Sequence, residues 1–439
     1  MKALRDPDRL LADGLATIRA QFQLPAGFPP SVEQAAERAA SRVPTDHADR
    51  TGVPFVTLDP ESSTDLDQAF AIEPAGADLL LHYAIADVGW RVNEGDSIDA
   101  EAWARGTTCY LPDGKAPLYP SVLSEAAASL LPGVDRAVIR SRAKLAYETA
   151  RDEDLPAGFL EIGARMAAAE DRRGASRVDP PEQEVLRNGE GHYRLAFRPR
   201  RLCEDGNAAL SLACNMAVAQ ALYQAGTGLF RVMPPPDARA IIRLRGTASA
   251  FGLDWPQAMT LSDFERGLDH ADPRQAAFML AVRRAGIGAS YVPYRAGEKP
   301  WHMAMAATYA HATAPLRRLA DRYVGAAALA VANGRPVPDF AEQAFARLPT
   351  AMARAEARDG QVERAVIDLA ESAMLAGREG EIFAAIVTDI GETGARIQLC
   401  DLPVVARVVA PDALPGIALR VRLVSADPAR RHVAFARIA

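Results

Sequence analysis

The densest group of chemistry-bearing residues is the stretch Thr57-Leu-Asp-Pro-Glu-Ser-Ser-Thr-Asp-Leu-Asp-Gln68. Asp59, Asp65 and Asp67 fall within nine positions, with Glu61 among them and Gln68 at the end. Magnesium takes near-octahedral oxygen coordination, usually one or two carboxylates plus water and substrate phosphate. A strand-like run, Val53–Leu58, delivers the chain to this Pro/Ser-rich turn. Spaced aspartates would therefore stand at a strand end, where two ions could clamp the attacking and leaving oxygens of a phosphodiester. A solvated acidic turn is the plain alternative.

Composition leaves such chemistry open. The 439 residues are 49% hydrophobic and 24% charged, as in a globular protein of several domains. A net charge of −6 argues against a protein that merely coats nucleic acid, which needs a basic surface. Only four basic residues are lysine (Lys2, Lys115, Lys144, Lys299), against 46 arginines, whose planar fork suits phosphate. The four cysteines (Cys109, Cys203, Cys214, Cys400) lack zinc spacing and read as reduced, small apolar residues. No apolar run reaches a membrane span, and the charged N-terminus does not resemble a signal peptide, so the expected location is the cytoplasm.

Three textures position the acidic stretch. Residues 1–50 read as two short helices, with Leu10, Leu11, Leu15, Ile18 and Phe22 at helical spacing, then a break at Leu24–Pro30. Helix-turn-helix is one expectation for this module and simple packing the other. Residues 51–380 begin with strand-like runs at Val53–Leu58, Asp78–Ile85 and Ala137–Ala146 and continue into helices at Ala208–Gln224, Ala310–Ala332 and Ala351–Ala376. Pro336, Pro338 and Pro349 are expected to interrupt any continuous helix between the last two. Residues 381–439 read as five short strands, Glu381–Asp389, Ala395–Cys400, Val404–Val409, Ile417–Val424 and His432–Ala436, which suits an OB-type barrel. Such barrels bind single strands through basic grooves and aromatic stacking, but Phe383 and Phe435 are the only aromatics here.

Further motifs follow the aspartates in order: Tyr83–Gly89 (YAIADVG), Arg105–Pro112 (RGTTCYLP), Ser129–Asp135 (SLLPGVD), Ala213–Ala219 (ACNMAVA) and Tyr309–Asp321 (YAHATAPLRRLAD). Together they resemble the ribonuclease II/ribonuclease R (RNB) family over about residues 24–380. The C-terminal barrel resembles the RNA-binding S1-type OB module that follows in that family. The resemblance implies an α+β fold: a helical N-terminus (1–50), an RNB domain with a mixed sheet packed by long helices (51–380), and a five-stranded barrel (381–439).

It further implies a magnesium-dependent 3′→5′ exoribonuclease, with Mn2+ able to substitute, acting on single-stranded RNA with a free 3′ end. Nucleoside 5′-monophosphates are the implied products, DNA is not an expected substrate, and a monomer is expected. Asp59, Asp65 and Asp67 match three family aspartates of the metal site, and Gln68 stands where the family has the fourth. Either the ion is held less tightly, or Glu61 or a water compensates, or the site is silent and the protein only binds RNA. Tyr110 matches a tyrosine that stacks near the RNA 3′ end. Arg317 matches the arginine on the scissile phosphate, with Arg318 assisting; His311 and Thr313 are implied to support backbone contacts. Glu363 resembles an active-site glutamate. No aromatic stands near Pro236, where bacterial relatives place a stacking phenylalanine. The fifty residues ahead of the RNB region are too few for the cold-shock barrels of full-length relatives. A wider channel mouth and readier access to structured RNA are expected.

Overall fold

The structure is a computed structural model. It describes residues 10–45, 47–136, 140–176, 182–187, 193–198, 201–269, 272–286, 288–391, 394–414 and 416–438. Helices α1 (Leu10–Gln21) and α2 (Pro30–Ala40) precede strands β1 (Phe55–Asp59), β2 (Gln68–Ala75) and β3 (Asp78–Ile85). Helix α3 (Ser97–Arg105), the hairpin β4 (Cys109–Leu111)/β5 (Gly114–Ala116) and β6 (Ser141–Ala146) follow. The helical half holds α4 (Phe159–Arg173), the hairpin β7 (Glu182–Arg187)/β8 (Tyr193–Arg198), α5 (Leu202–Gln224) and β9 (Leu229–Val232). It continues through α6 (Ala238–Ala250), α7 (Leu261–Arg266), α8 (Pro273–Ala285), β10 (Ser290–Pro293), α9 (Leu319–Ala332) and α10 (Asp339–Leu375). The last five strands are β11 (Ile382–Gly391), β12 (Gly394–Leu399), β13 (Val405–Val408), β14 (Ala418–Asp427) and β15 (His432–Ile438).

The expected α+β class holds. The mixed sheet has the order β3-β2-β1-β6, with β1 and β6 parallel and the other pairs antiparallel. The register sets Asp59 opposite Ala146 and Gln68 opposite Ile85, so the acidic turn spans the ends of β1 and β2. The last strands close a barrel in the order β11-β12-β13-β15-β14. Phe383 and Phe435 meet edge to face inside it, buried among Val387, Ile397 and Val421. They fill the barrel and offer no ring to a base. Among the described residues no helix is long and apolar enough to cross a membrane.

Two expectations change, one strand is new and one is seen in part. Strand β2 begins within the acidic motif and ends in Glu-Pro-Ala, so its sequence reads as turn; pairing along all of β3 makes it a strand. The strand expected at Ala137–Ala146 is seen from Ser141; residues 137–139 lie outside the described residues. Residues 310–318 are not helical. The N–H groups of Ala314 and Leu316 donate to the carboxylates of Asp321 and Asp67, so they are not available for a helical ladder. Pro349 does not break the chain, because α10 runs through it. A mid-helix proline costs about 3 kcal/mol, which burial of Phe345, Leu348 and Met352 around it offsets.

The first two helices share no core of their own. Leu11, Leu15 and Ile18 of α1 pack on Val362, Val366 and Leu369 of α10. Val32, Ala36 and Ala39 of α2 join the main core against α3. Each docks separately, which argues for packing over a helix-turn-helix module.

Helix α10 also carries the barrel. Its Glu371, 5% exposed, accepts from the Val405 N–H (2.8 Å) and from Gln183 Nε2 (2.7 Å), and Gln183 also donates to the Pro403 carbonyl. Burial pushes the Glu371 carboxyl up to about 7, against an ordinary 4.5. The folded state therefore holds this proton more tightly than the unfolded chain. Its contribution is fully present below about pH 4.5 and lost as pH rises to 7. Glu371→Gln should match the parent in thermal melts at pH 5 and exceed it at pH 8, by on the order of 3 kcal/mol. A constant gap across that range would show that this carboxyl does not titrate there.

Candidate active site

Backbone pairing brings three distant segments to the acidic turn. Thr107 bridges to Arg318, the Thr108 N–H donates to the Arg317 carbonyl (3.0 Å), and the Leu319 N–H donates to that of Gly106 (2.9 Å). Gly106 has φ of 76°, and a Cβ there would lie 2.6 Å from Ala355 Cβ on α10, so only glycine lets the strap lie this close. From the other side, Ser129 Oγ donates to the Thr64 carbonyl (2.7 Å) and accepts from the Leu66 N–H (2.9 Å). Lys144 Nζ holds the carbonyls of Glu61 and Ser63, both at 2.6 Å. The turn is thus preorganised by backbone and by side chains outside the carboxylate set.

Asp67 is the centre of this network. It is 5% exposed; its Oδ1 accepts from the Leu316 N–H (2.7 Å) and its Oδ2 from Arg317 Nε (3.2 Å). Asp59 Oδ2 is buried with no hydrogen-bond partner. Burial raises both carboxyls to about 7; the charge of Asp67 adds to this at Asp59, while Arg317 opposes it at both. Two buried, mutually repelling carboxylates, one with an orphan oxygen, form a donor set that suits a hard cation.

The other two candidates are engaged elsewhere. Asp65 accepts from Tyr110 Oη (2.7 Å) and pairs with Lys115 Nζ (2.8 Å), which also meets Glu125 (2.9 Å). The Gln68 amide oxygen accepts from the Tyr83 hydroxyl. Asp59, Asp65, Asp67 and Gln68 therefore do not converge as one set. Among the described residues no group of three acidic, His or Cys side chains is arranged to hold a metal. Asp59 and Asp67 remain, enough for an ion completed by water and phosphate oxygens.

The two arginines differ in kind. Arg317 is about half exposed, and only its Nε is bonded among the described residues, so its terminal nitrogens point free. Arg318 grips the wholly buried Asp321 carboxylate through Nε (3.0 and 3.1 Å) and Nη2 (2.7 Å). Thr313 is 2% exposed and bonded to Ser211 (2.9 Å) and Asn215 (3.2 Å). His311 Nδ1 meets Tyr291 Oη (2.7 Å), and burial, then the neighbouring Arg318 and Arg231 charges, drive its pKa well below the ordinary value. Thr313 is sealed in the wall that carries Arg317, and Arg318 and His311 brace the same wall through Asp321 and Tyr291. Asn215 clamps the same segment by accepting from the Ala312 N–H (2.9 Å).

Tyr110 is 53% exposed, a ring open on the surface with its hydroxyl tied to Asp65. Glu363 is exposed on α10, and no hydrogen bond or ion pair joins it to the aspartates among the described residues. Two other α10 carboxylates brace the surroundings: Glu356 pairs with Arg231 at 2.9 Å, with Arg231 stacked on Tyr291, and Asp359 accepts from Thr107 Oγ1 in the strap. Sequence reasoning missed Tyr83 and Lys115. Lys115 was recoverable: Asp113-Gly114 is a hairpin signal, and the hairpin sets Lys115 opposite Tyr110. Beyond β9, the Met233 N–H donates to the carbonyl of Trp301, an exposed aromatic joined to the loop that holds Pro236.

Comparison with known proteins agrees with this architecture. The RNB domain matches residues 48–153 and 159–331, and the RNase II-type exonuclease C-terminal S1 domain matches residues 381–438. Ribonuclease R of Aquifex aeolicus is 27% identical over 86% of the chain, which spans 60% of that relative's length. Mycoplasma genitalium RNase R, solved with ribose-methylated single-stranded RNA, superposes over all of the chain and 79% of its own, with TM-score 0.86 and 20% identity. Yeast Ssd1, described as a pseudonuclease, superposes over 98% of the chain and 58% of its own, with TM-score 0.70 and 17% identity. With the RNB domain covering most of its length and the S1 module following, the chain belongs to the ribonuclease II/ribonuclease R (RNB) family.

Proposed function

We propose that the protein is a divalent-metal-dependent 3′→5′ exoribonuclease acting, as a monomer, on single-stranded RNA and releasing nucleoside 5′-monophosphates. The observation that carries this reading is the pairing of buried Asp67 with Arg317, beside the unpartnered oxygen of Asp59. Asp59 and Asp67 would hold the ion; magnesium fits best, with manganese in its place. A bound divalent cation supplies positive charge to the phosphodiester oxygens and activates water for attack. Arg317 keeps Nε on Asp67 and turns its free nitrogens to the phosphate, neutralising charge as the phosphoryl group is displaced. The exposed ring of Tyr110 gives a terminal base a stacking face, and stacking tolerates any base. Selection against DNA would come from contacts to the 2′-hydroxyl.

Gln68 and the pseudonuclease neighbour favour a second reading, an RNB fold that holds RNA without cutting it. A time course on 5′-labelled single-stranded RNA, with magnesium and then with EDTA, separates the two. The nuclease gives a magnesium-dependent ladder shortening from the 3′ end to a few nucleotides. Intact RNA in both lanes, with a gel shift retained, establishes the binder.

A further inference from the structure

The chemistry at position 68 depends on which end of the Gln68 amide is free, and the Tyr83 hydroxyl holds one end. The chain of bonds starts at a backbone donor. The Ala312 N–H can only donate, so the Asn215 atom 2.9 Å away is the amide oxygen. The two protons of the Asn215 nitrogen then have three hydroxyl oxygens in reach, Thr313 Oγ1 (3.2 Å), Tyr309 Oη (3.2 Å) and Ser211 Oγ (3.4 Å). Ser211 Oγ also meets Thr313 Oγ1 (2.9 Å), where either hydroxyl can donate, and it hydrogen-bonds to the buried Tyr83 hydroxyl. Tyr83 has one proton, and that proton goes to Gln68 Oε1. Asn215 and Ser211 of α5 thus stand behind Tyr83 of β3, and the Tyr83 hydroxyl takes up the Gln68 oxygen.

The amide nitrogen is what remains. It bonds to nothing among the described residues and is not one of the buried, unpartnered atoms, so solvent reaches it, on the residue that follows Asp67 in the chain. We infer that Gln68 serves as a fixed N–H donor to a phosphate oxygen of the bound RNA end, not as a metal ligand, with Tyr83 as the positioning residue that orients it. A metal needs a lone pair of the oxygen; Tyr83 takes one of the two and fixes the direction of the amide, leaving the nitrogen as its outward end. A neutral donor adds no charge to the cation site and attracts the anionic substrate. This rests on the RNA-processing reading, but it concerns binding, so it can fail separately.

Two affinities test it, measured without turnover. Mn2+ affinity is read by electron paramagnetic resonance, and the affinity of a fluorescent RNA tetranucleotide by anisotropy in EDTA. The tetranucleotide is short enough that the barrel contributes little. Gln68→Ala should weaken the tetranucleotide roughly tenfold, the scale of a hydrogen bond to a charged group, and leave Mn2+ affinity within twofold. Gln68→Glu keeps size and oxygen but removes the N–H, and should weaken RNA at least as much. Tyr83→Phe should weaken RNA several-fold, and Q68A/Y83F should be no weaker than Q68A alone, because Tyr83 acts through Gln68. A tenfold or larger loss of Mn2+ affinity in Q68A, with RNA binding intact, would make the amide oxygen a ligand and overturn the inference. Additive effects in the double variant would overturn the role given to Tyr83. A parent that binds neither probe would count against the nuclease reading itself.

Discussion

Replacing Asp67 by asparagine should reduce the single-turnover rate of RNA degradation roughly 10³-fold, the scale seen when one preorganised electrostatic group is lost. The side chain keeps its shape, and its oxygen can still accept from the Leu316 N–H. Its new NH2 would face Arg317 Nε, donor against donor, where the carboxylate now accepts. One substitution therefore removes half of the two-carboxylate set and loosens the arginine. The fold should not suffer. Burial has already raised the Asp67 carboxyl to about 7, so the ionised group is a cost to the folded chain above that pH, and a neutral amide relieves it. Asp67→Asn should thus melt at or above the parent temperature at pH 8 and still shift single-stranded RNA on a gel. A variant that degrades RNA at the parent rate would remove Asp67 from the chemistry. One that is inactive but also unfolded would make it a structural residue.

That contrast also marks where sequence was informative. The five barrel strands were legible to within a few residues because each is a short alternating run between Gly or Pro turns, and period two is a local signal. The acidic turn was legible as a motif, but its internal division was not. Whether Asp65 faces a cation or Lys115 depends on a hairpin fifty residues away, and which end of the Gln68 amide is free depends on Tyr83 across the sheet. The segment 310–318 shows the limit differently. Its alanine-rich sequence favours helix, yet its N–H groups find two buried carboxylates, and tertiary acceptors overrule local propensity.

The arginine pair is the most discriminating test of the site, because adjacent residues of one type are predicted to fail in opposite ways. Arg317→Ala should cost roughly 10²–10³ in kcat, as for loss of one group that stabilises developing charge. It should leave the melting temperature nearly unchanged, since the side chain is half exposed and makes a single ion pair. Arg317→Lys should recover little of the rate, because an ammonium lacks the fork that anchors one nitrogen on Asp67 and offers two others to phosphate. Arg318→Ala should instead destabilise the protein by about 3–5 kcal/mol, since it strands a buried charge. The stranded group is Asp321, whose side chain is wholly buried and which also caps the Ala314 N–H that shapes the 314–317 turn. Melting curves and single-turnover rates on the same preparations separate the two. If both variants lost rate without losing stability, Arg318 would have to touch the RNA, and its grip on Asp321 would be dispensable to the fold. If Arg317→Ala melted early while its folded fraction retained the parent rate, the free nitrogens of Arg317 would have no part in phosphate displacement. The metal pair alone would then carry the charge.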